Sequence, residues 1–279
     1  MEFADRLARA HELIDDEDYP GAVGAVEALI PELAAAFGEH HEDVLHARVL
    51  LAHTHNSAEE PERALALAHA TLSDIEAHLG EEHPLAARAQ LVIGRGLEIL
   101  NRLDQAETWY RRAAGGGETL AMANLGFLRY SAGDTVEATA WWRRAAESGH
   151  VGAMNNLGFL YEETGNTGRA EAWYRRAVNR GHVGAMNNLG FLFGRTGQIA
   201  EARVWFRRAA EAGHVAAMAN LGLLLYGAGD TGEAERWLRR AAEAGNVDAM
   251  THLGHHYRKL GDTERAEEWF RRAADGQHP

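Results

Sequence analysis

The sequence predicts an all-α solenoid of eight helix-turn-helix units, because three kinds of residue recur at one fixed interval. Tryptophan, methionine and a Leu-Gly pair each return every 32 residues over the last two thirds of the chain. A period of this size indicates a stack of small units, each of which buries its apolar face only against its neighbours. The three series are Trp109, Trp141, Trp173, Trp205, Trp237 and Trp269; Met122, Met154, Met186, Met218 and Met250; and Leu125-Gly126, Leu157-Gly158, Leu189-Gly190, Leu221-Gly222 and Leu253-Gly254.

Residues 1–86 carry a longer form of the unit. The segments Gly38-Glu39-His40-His41 and Gly80-Glu81-Glu82-His83 lie 42 residues apart and are typical of linkers between helices. We expect two helix pairs in this region, with helices near residues 3–15, 21–37, 42–56 and 61–79.

Residues 87–278 hold six 32-residue units, each made of a helix, a turn and a second helix. In one unit the segment AMNNLGFLYEET has helical spacing, and Gly165 then ends the helix because glycine readily adopts a left-handed conformation. Asn166-Thr167 follows as the start of the second helix, GRAEAWYRRAV. We therefore expect two regions, residues 1–86 and 87–279, that continue into each other as one solenoid.

The order of residues within a unit resembles the tetratricopeptide repeat. The shared positions are Leu157-Gly158, Tyr161, Gly165, Ala170, Tyr174 and Ala177. The WYRRAA ending and its glycine are more similar to the Sel-one-like relative, and the 42-residue units with a GEEHP linker are similar to the longer repeats of kinesin light chains. This resemblance implies a right-handed α-solenoid, a superhelix of about eight repeats, that acts as a protein-binding scaffold and rarely as an enzyme.

The first helix of a unit has two distinct faces when it is drawn at about 100° per residue. Leu157 and Gly158 lie on the packing face, where glycine lets a second helix approach closely. Asn155, Asn156 and Phe159 fall on the opposite side. The resemblance implies that first helices line the concave surface of the superhelix, where equivalent residues of successive units stack into rows.

We predict that this opposite face binds a peptide or a segment of a partner protein. Exposed phenylalanine rings favour a covering partner, and asparagine amides can pair with a peptide backbone. Packing between successive units is the alternative interpretation of the same residues. The predicted site residues are Asn124, Phe127, Asn155, Asn156, Phe159, Asn187, Asn188, Phe191, Asn220 and Leu223, with His252 and His255 at the corresponding positions of the last unit.

The resembled family is known for a carboxylate clamp, which needs lysines four residues before this asparagine row. Those positions hold Leu120, Gly152, Gly184, Ala216 and Asp248. We therefore expect no clamp for an acidic C-terminal tail, and we expect space for bulky apolar groups.

The net charge of −13 is concentrated in the first third of the chain. Residues 1–86 hold 19 acidic side chains against four arginines, a balance of −15. Nucleic acid is a poor partner for such a surface, because binding to a phosphate backbone relies on clustered Lys and Arg. The absence of cysteine, of an export signal and of a long apolar run favours a cytoplasmic protein without a membrane segment.

Arginine pairs recur on the second helices, at 111–112, 143–144, 175–176, 207–208, 239–240 and 271–272. Acidic residues lie four positions before the first arginine, as at Glu171, and three after the second, as at Glu147. This spacing favours ion pairs on the helix surface over a nucleic-acid stripe. We expect the tryptophans of the same helices in the core, because they follow the packing period.

His252, His255 and His256 have a spacing that could bring three imidazoles to one metal ion. No acidic or thiolate partner accompanies them in the sequence, so we expect no metal site. Nine of the sixteen histidines fall in residues 1–86, where solvated helix surface is favoured over a pH-responsive end.

These observations predict a non-enzymatic protein–protein interaction scaffold. No phosphate-binding loop, Ser-His-acid set or carboxylate pair stands apart from the repeat pattern, so we expect neither catalysis nor a cofactor. The alternative is an oligomerising structural or sensor module of a larger signalling assembly, with copies joined through the solenoid ends and the groove unused.

Overall fold

The computed structural model describes residues 3–276, apart from the side chain of Ala4, and shows sixteen α-helices and no strand in these residues. The ends of the predicted ranges at residues 1, 2 and 277–279 lie outside this part. The helices predicted in residues 1–86 are confirmed, with boundaries shifted by at most about two residues. The helices are α1 (Phe3–Asp15), α2 (Tyr19–Phe37), α3 (Glu42–Ser57), α4 (Pro61–His78), α5 (Pro84–Ile99), α6 (Leu103–Gly115), α7 (Thr119–Ser131), α8 (Thr135–Glu147), α9 (Val151–Glu163), α10 (Thr167–Val178), α11 (Val183–Arg195), α12 (Ile199–Glu211), α13 (Val215–Gly227), α14 (Thr231–Glu243), α15 (Val247–Lys259) and α16 (Thr263–Asp275).

The chain forms two compact units. Unit 1 extends to His150 and contains α1–α8, and unit 2 begins at Val151 and contains α9–α16. Within each unit every helix packs against the next one along the chain, and first helices also touch, α3 against α5 and α9 against α11. Packing between sequence neighbours is the defining feature of a solenoid. The division at residue 86 that the sequence suggests stays a prediction.

A glycine ends the first helix of a pair, and a polar side chain starts the second. Gly165 has a φ of 75°, which lies in the left-handed region. The side chain of Asn166 then accepts a hydrogen bond from the Arg169 amide at 3.2 Å, and Asp134 and Asp262 cap their helices in the same way. The predicted stops and starts are confirmed at these positions.

The glycine of each Leu-Gly pair makes space for a large side chain on the second helix of the same 32-residue repeat. A Cβ atom on Gly158 would lie 2.4 Å from Cδ1 of Tyr174, so only glycine accommodates the ring. The predicted close approach at this glycine is confirmed. The equivalent pairs are Gly94 with Tyr110, Gly126 with Trp142, Gly190 with Phe206, Gly222 with Leu238 and Gly254 with Phe270.

The tryptophan row is less buried than the sequence predicts. Trp237 and Trp269 are buried, whereas Trp109, Trp141, Trp173 and Trp205 are only partly buried. In each second helix the following residue fills the glycine gap. The core prediction is therefore wrong for these four tryptophans, because it assigned the packing position one residue too early.

Helix α2 is long and apolar enough, by length and composition, to cross a membrane, which the sequence analysis did not anticipate. One face of this helix lies in the core of unit 1, where Val26, Leu29 and Leu33 pack with Ala10 of α1 and Leu50 of α3. A core helix of a soluble protein passes the same test. We therefore assign α2 to the unit 1 core.

Candidate functional site

An apolar row runs along the first helices of unit 2. Phe159, Phe191 and Leu223 occupy equivalent positions on α9, α11 and α13, and their side chains are 41, 45 and 36% exposed. We call these three residues the apolar row. In unit 1, Phe127 holds the same position on α7 and is 55% exposed.

The ring of Phe191 is anchored at its base. It meets the buried ring of Phe206 edge to face, with the ring centroids 5.3 Å apart. One side of the Phe191 ring therefore packs within the helix pair α11–α12, while nearly half of the residue's surface stays accessible. An anchored aromatic ring makes a good contact residue because it loses little freedom on binding.

Four of the predicted asparagines form hydrogen bonds with each other between successive 32-residue repeats of unit 2. Asn188 donates to the side-chain oxygen of Asn155 at 2.9 Å, and Asn220 donates to that of Asn187 at 3.0 Å. Asn187 is only 7% exposed. These bonds support the packing interpretation for these four residues, since they join neighbouring first helices.

Asn124 and Asn156 stand outside these amide bonds. Both side chains are partly buried, and Asn124 hydrogen-bonds the hydroxyl of Tyr110. The structure therefore brings the predicted phenylalanines and leucine to one exposed position, but it divides the asparagines into bridging and non-bridging residues.

Unit 1 has a pocket of about 370 Å³ on its first helices that the sequence analysis missed. Its floor is apolar, and its polar lining contains histidines and one arginine. The histidine excess of residues 1–86 was the only sequence signal for it. The lining residues are Ile14, Val49, Leu50, Leu91, Val92 and Leu120, with His11, Asp15, His46, His53, Arg88 and Glu118.

The pocket changes the proton affinity of two histidines. Burial lowers the pKa of His46, and the charge of Arg88 lowers it further. Burial likewise lowers the pKa of His53, with His11 as a second cause. Both rings therefore favour the neutral form, in which each can donate and accept a hydrogen bond.

The arginine pairs of the second helices have two separate roles. The first arginine makes the predicted ion pair with a glutamate four residues earlier in three of the four predicted helices, at 2.8 Å for Arg111–Glu107, at 2.7 Å for Arg239–Glu235, and between Arg175 and Glu171. Within residues 3–276, Arg271 forms no such pair with Glu267. The second arginine was predicted to pair with an acid and instead covers the tryptophan three residues before it. Its guanidinium carbon lies 4.1–4.9 Å from the ring centroid in all six helices.

The histidines of α15 face different neighbours. The ring of His255 lies against Phe270, with centroids 5.0 Å apart, and His256 is buried at 3.8 Å from a Glu235 oxygen. His252 is exposed on the helix surface. The three imidazoles do not meet at one point in this part of the structure.

A second group of possible metal ligands lies in unit 1, where His40, Asp74 and His78 each bring one ligand atom within 4.8 Å of the others. The two rings are stacked, with centroids 3.8 Å apart and planes 6° from parallel. Nitrogen lone pairs lie in the ring plane, so parallel rings do not direct them at a shared ion. Asp74 is also paired with Arg48 at 3.2 Å. We place no metal at this cluster.

Stacked helix pairs with an exposed apolar row define a repeat protein of the interaction-scaffold class. Sequence patterns of the tetratricopeptide repeat match residues 44–85, 151–181, 183–212 and 220–279, and the Sel1 repeat pattern matches residues 94–118 and 119–150. The chain belongs to the tetratricopeptide repeat superfamily, with Sel1 repeats in its middle part. These families are generally non-enzymatic, and their repeats indicate a protein–protein interaction scaffold.

A chain of one solved structure shows the same kind of fold. The APC/C hetero-tetramer Cut9–Hcn1 is 15% identical with a TM-score of 0.56, over 97% of this chain and 52% of that one, so this chain spans about half its length. A Podosopora anserina protein with nearly identical TPR-like repeats of the kinesin light chain type is 13% identical, over 63% of this chain and 93% of that one, with a TM-score of 0.49. No curated protein sequence matches the chain.

Proposed function

We propose that the protein is a scaffold whose apolar row binds an extended peptide or a helix of a partner protein. The observation that supports this is the exposure of Phe159, Phe191 and Leu223 at one position of three first helices. Apolar side chains of this size in a line favour a covering partner. The proposal places the protein in the cytoplasm and gives it no catalytic role.

The asparagine bonds support the same face indirectly. The Asn155–Asn188 and Asn187–Asn220 contacts join α9 to α11 and α11 to α13. They hold the spacing of the row before a partner arrives, which reduces the ordering that binding requires. Asn156 lies outside these bonds, so its amide stays available to a peptide backbone.

The decisive experiment combines three substitutions, Phe127→Ala, Phe159→Ala and Phe191→Ala, and measures capture of partners from native lysate. We expect the variant to keep its helical circular dichroism and to lose the proteins that the wild type retains. A matched control carries Ile199→Ala and Val204→Ala, which remove two apolar side chains of α12 that are 52 and 49% exposed. Unchanged capture by a folded triple variant would exclude the three phenylalanines as the binding surface.

A charge substitution covers the case in which the triple variant unfolds. Leu223→Lys places a charge on the row at an exposed site without opening a cavity in the core. The same loss of capture is expected. Retention of every partner by this folded variant would contradict the proposal independently of the phenylalanines.

A further inference from the structure

Within residues 3–276, a histidine ring caps the start of α3, α5, α11 and α13, and His150 holds the equivalent position before α9. In each of these four caps Nδ1 accepts a hydrogen bond from a backbone amide of the first turn. A neutral imidazole can accept this bond, whereas a protonated ring cannot and adds a positive charge at the positive end of the helix dipole. The four bonds are His41 with Asp43 at 3.3 Å, His83 with Leu85 at 3.2 Å, His182 with Ala185 at 3.0 Å and His214 with Ala217 at 3.2 Å.

The caps of unit 1 have acidic neighbours. Nδ1 of His41 lies 3.4 Å from a carboxylate oxygen of Asp43, and Nε2 of His83 lies 3.7 Å from one of Glu42. Each of these two capping rings therefore has a carboxylate beside it.

The caps of unit 2 differ in this respect. Among residues 3–276, neither His182 nor His214 forms an ion pair with a carboxylate. The charged group that acts on His182 is His214 itself, which would repel it once both rings were protonated. By sequence, Arg180 lies two residues before His182, and Glu211 lies three residues before His214 at the end of α12; within residues 3–276 neither of them forms an ion pair with these rings.

Burial lowers the pKa of His182, and the neighbouring His214 adds to the same direction. The folded state thus prefers the neutral ring more strongly than the unfolded chain does. The cap contributes fully above the unfolded histidine pKa of about 6.5, and its contribution declines as the pH falls below that value.

We propose that acidification releases the first turn of α11 by protonating His182, which makes the start of this helix a pH-sensitive element of unit 2. Helix α11 carries Phe191 of the apolar row. Weaker partner binding in acid is the consequence for function, and this consequence rests on the proposed function of the row.

Helix α15 has a cap at the equivalent position that does not depend on pH. Asn246 caps α15 at the equivalent position, and its side-chain oxygen accepts from the Ala249 amide at 2.8 Å. An amide does not titrate between pH 5 and 8. A double variant with His182→Asn and His214→Asn should therefore keep both caps at every pH in this range. The matched control, His41→Asn with His83→Asn, makes the same change in unit 1.

Hydrogen exchange of the full chain, followed by mass spectrometry at pH 7.5 and 5.5 and corrected for intrinsic exchange rates, tests the proposal. In the wild type we expect protection of residues 183–188 to fall about fivefold at the lower pH. The unit 2 double variant should show no such fall, and the unit 1 control should behave as the wild type.

Equal protection of wild-type residues 183–188 at both pH values would overturn the inference. So would an equal acid-induced fall in the unit 2 double variant. If that variant does not fold, His182→Asn alone should remove the fall at residues 183–188, and failure to do so would have the same meaning.

A binding measurement separates this inference from the function that we propose. Proteins captured by the wild type, but not by the triple phenylalanine variant, are compared at pH 7.5 and 5.5. Loss of these proteins in acid, and their retention by the unit 2 double variant, is the expected result. If acid lowers the protection but capture stays unchanged, the cap of α11 responds to pH as proposed, but this response does not affect binding at the row.

Discussion

Unit 1 and unit 2 place their pH-sensitive histidines at different parts of the same architecture. In unit 1 the capping rings of His41 and His83 have carboxylate neighbours, and the rings with a lowered pKa include His46 and His53 in the pocket. In unit 2 the affected ring, His182, caps a first helix. The difference shows that histidines at the same capping position have different charged neighbours, carboxylates in unit 1 and a second histidine in unit 2.

The two units also differ in what their first helices expose. Unit 1 forms a pocket with a histidine and arginine lining, whereas unit 2 exposes an apolar row supported by paired amides. Both sets of residues belong to first helices of the pairs, and in unit 2 the ring of Phe191 also packs on Phe206 of its own pair.

The largest expected effect comes from filling a glycine gap in one unit at a time. Gly94→Ala in unit 1 and Gly158→Ala in unit 2 would bring a Cβ within 2.6 and 2.4 Å of a tyrosine ring. We expect each to lower the free energy of unfolding by about 2–3 kcal/mol, because the ring and its backbone must shift. Urea unfolding measures the loss, and hydrogen exchange shows which unit opens.

The control for these substitutions is Gly168→Ala on α10, where an added Cβ meets no atom within 4 Å. It should be neutral or stabilise by up to about 1 kcal/mol. If Gly94→Ala and Gly158→Ala each increase hydrogen exchange equally in both units, the two units unfold together. Their stabilities can then not be compared separately.

An intermediate effect is expected from the pocket histidines of unit 1. Their lowered pKa values mean that unfolding takes up protons, so stability is complete above about pH 6.5 and declines below it. The decline is at most about 1.4 kcal/mol per pH unit for His46 and is smaller for His53, which is the more exposed residue. A variant with His46→Asn and His53→Asn should lose less stability than the wild type between pH 7.5 and 5.5 in urea titrations. Identical losses would show that these rings do not couple folding to pH.

The smallest effect is expected from the arginines that cover tryptophan. Arg112→Ala in unit 1 and Arg176→Ala in unit 2 each remove a guanidinium that lies 4.7 or 4.1 Å from a ring centroid. Both should cost about 0.5 kcal/mol, and equally, because the stack is exposed in both units. Thermal unfolding detects the change, with the exposed Arg180→Ala as control. A difference above about 1 kcal/mol between the two variants would contradict the equivalence of the second helices.

The sequence predicted those parts of the molecule that every unit repeats. The 32-residue period located the helix pairs, and the Leu-Gly pair located the close approach of Gly158 and Tyr174. The arginine stacks were missed although Trp173 and Arg176 have the three-residue spacing of helix neighbours, because the acidic residues nearby suggested ion pairs instead.

Contacts between neighbouring 32-residue repeats were harder to predict. The bond between Asn155 and Asn188 joins residues one period and one position apart, so it depends on how neighbouring helices are offset. The pocket of unit 1 likewise requires four helices to be placed in space before its lining can be recognised. Of the predicted site, the exposure of Phe159, Phe191 and Leu223 could be read from the helical wheel, while the pairing of the amides could not.

The glycine gap has a consequence for how such a chain evolves. Gly158 and Tyr174, like every other such couple, lie within one 32-residue segment, so copying or deleting a whole segment transfers both halves together. A duplication therefore never leaves a ring without its space. The twelve residues GHVGAMNNLGFL, identical at 149–160 and 181–192, have the form of such a copying event, in which the chain gains length without having to redesign a core.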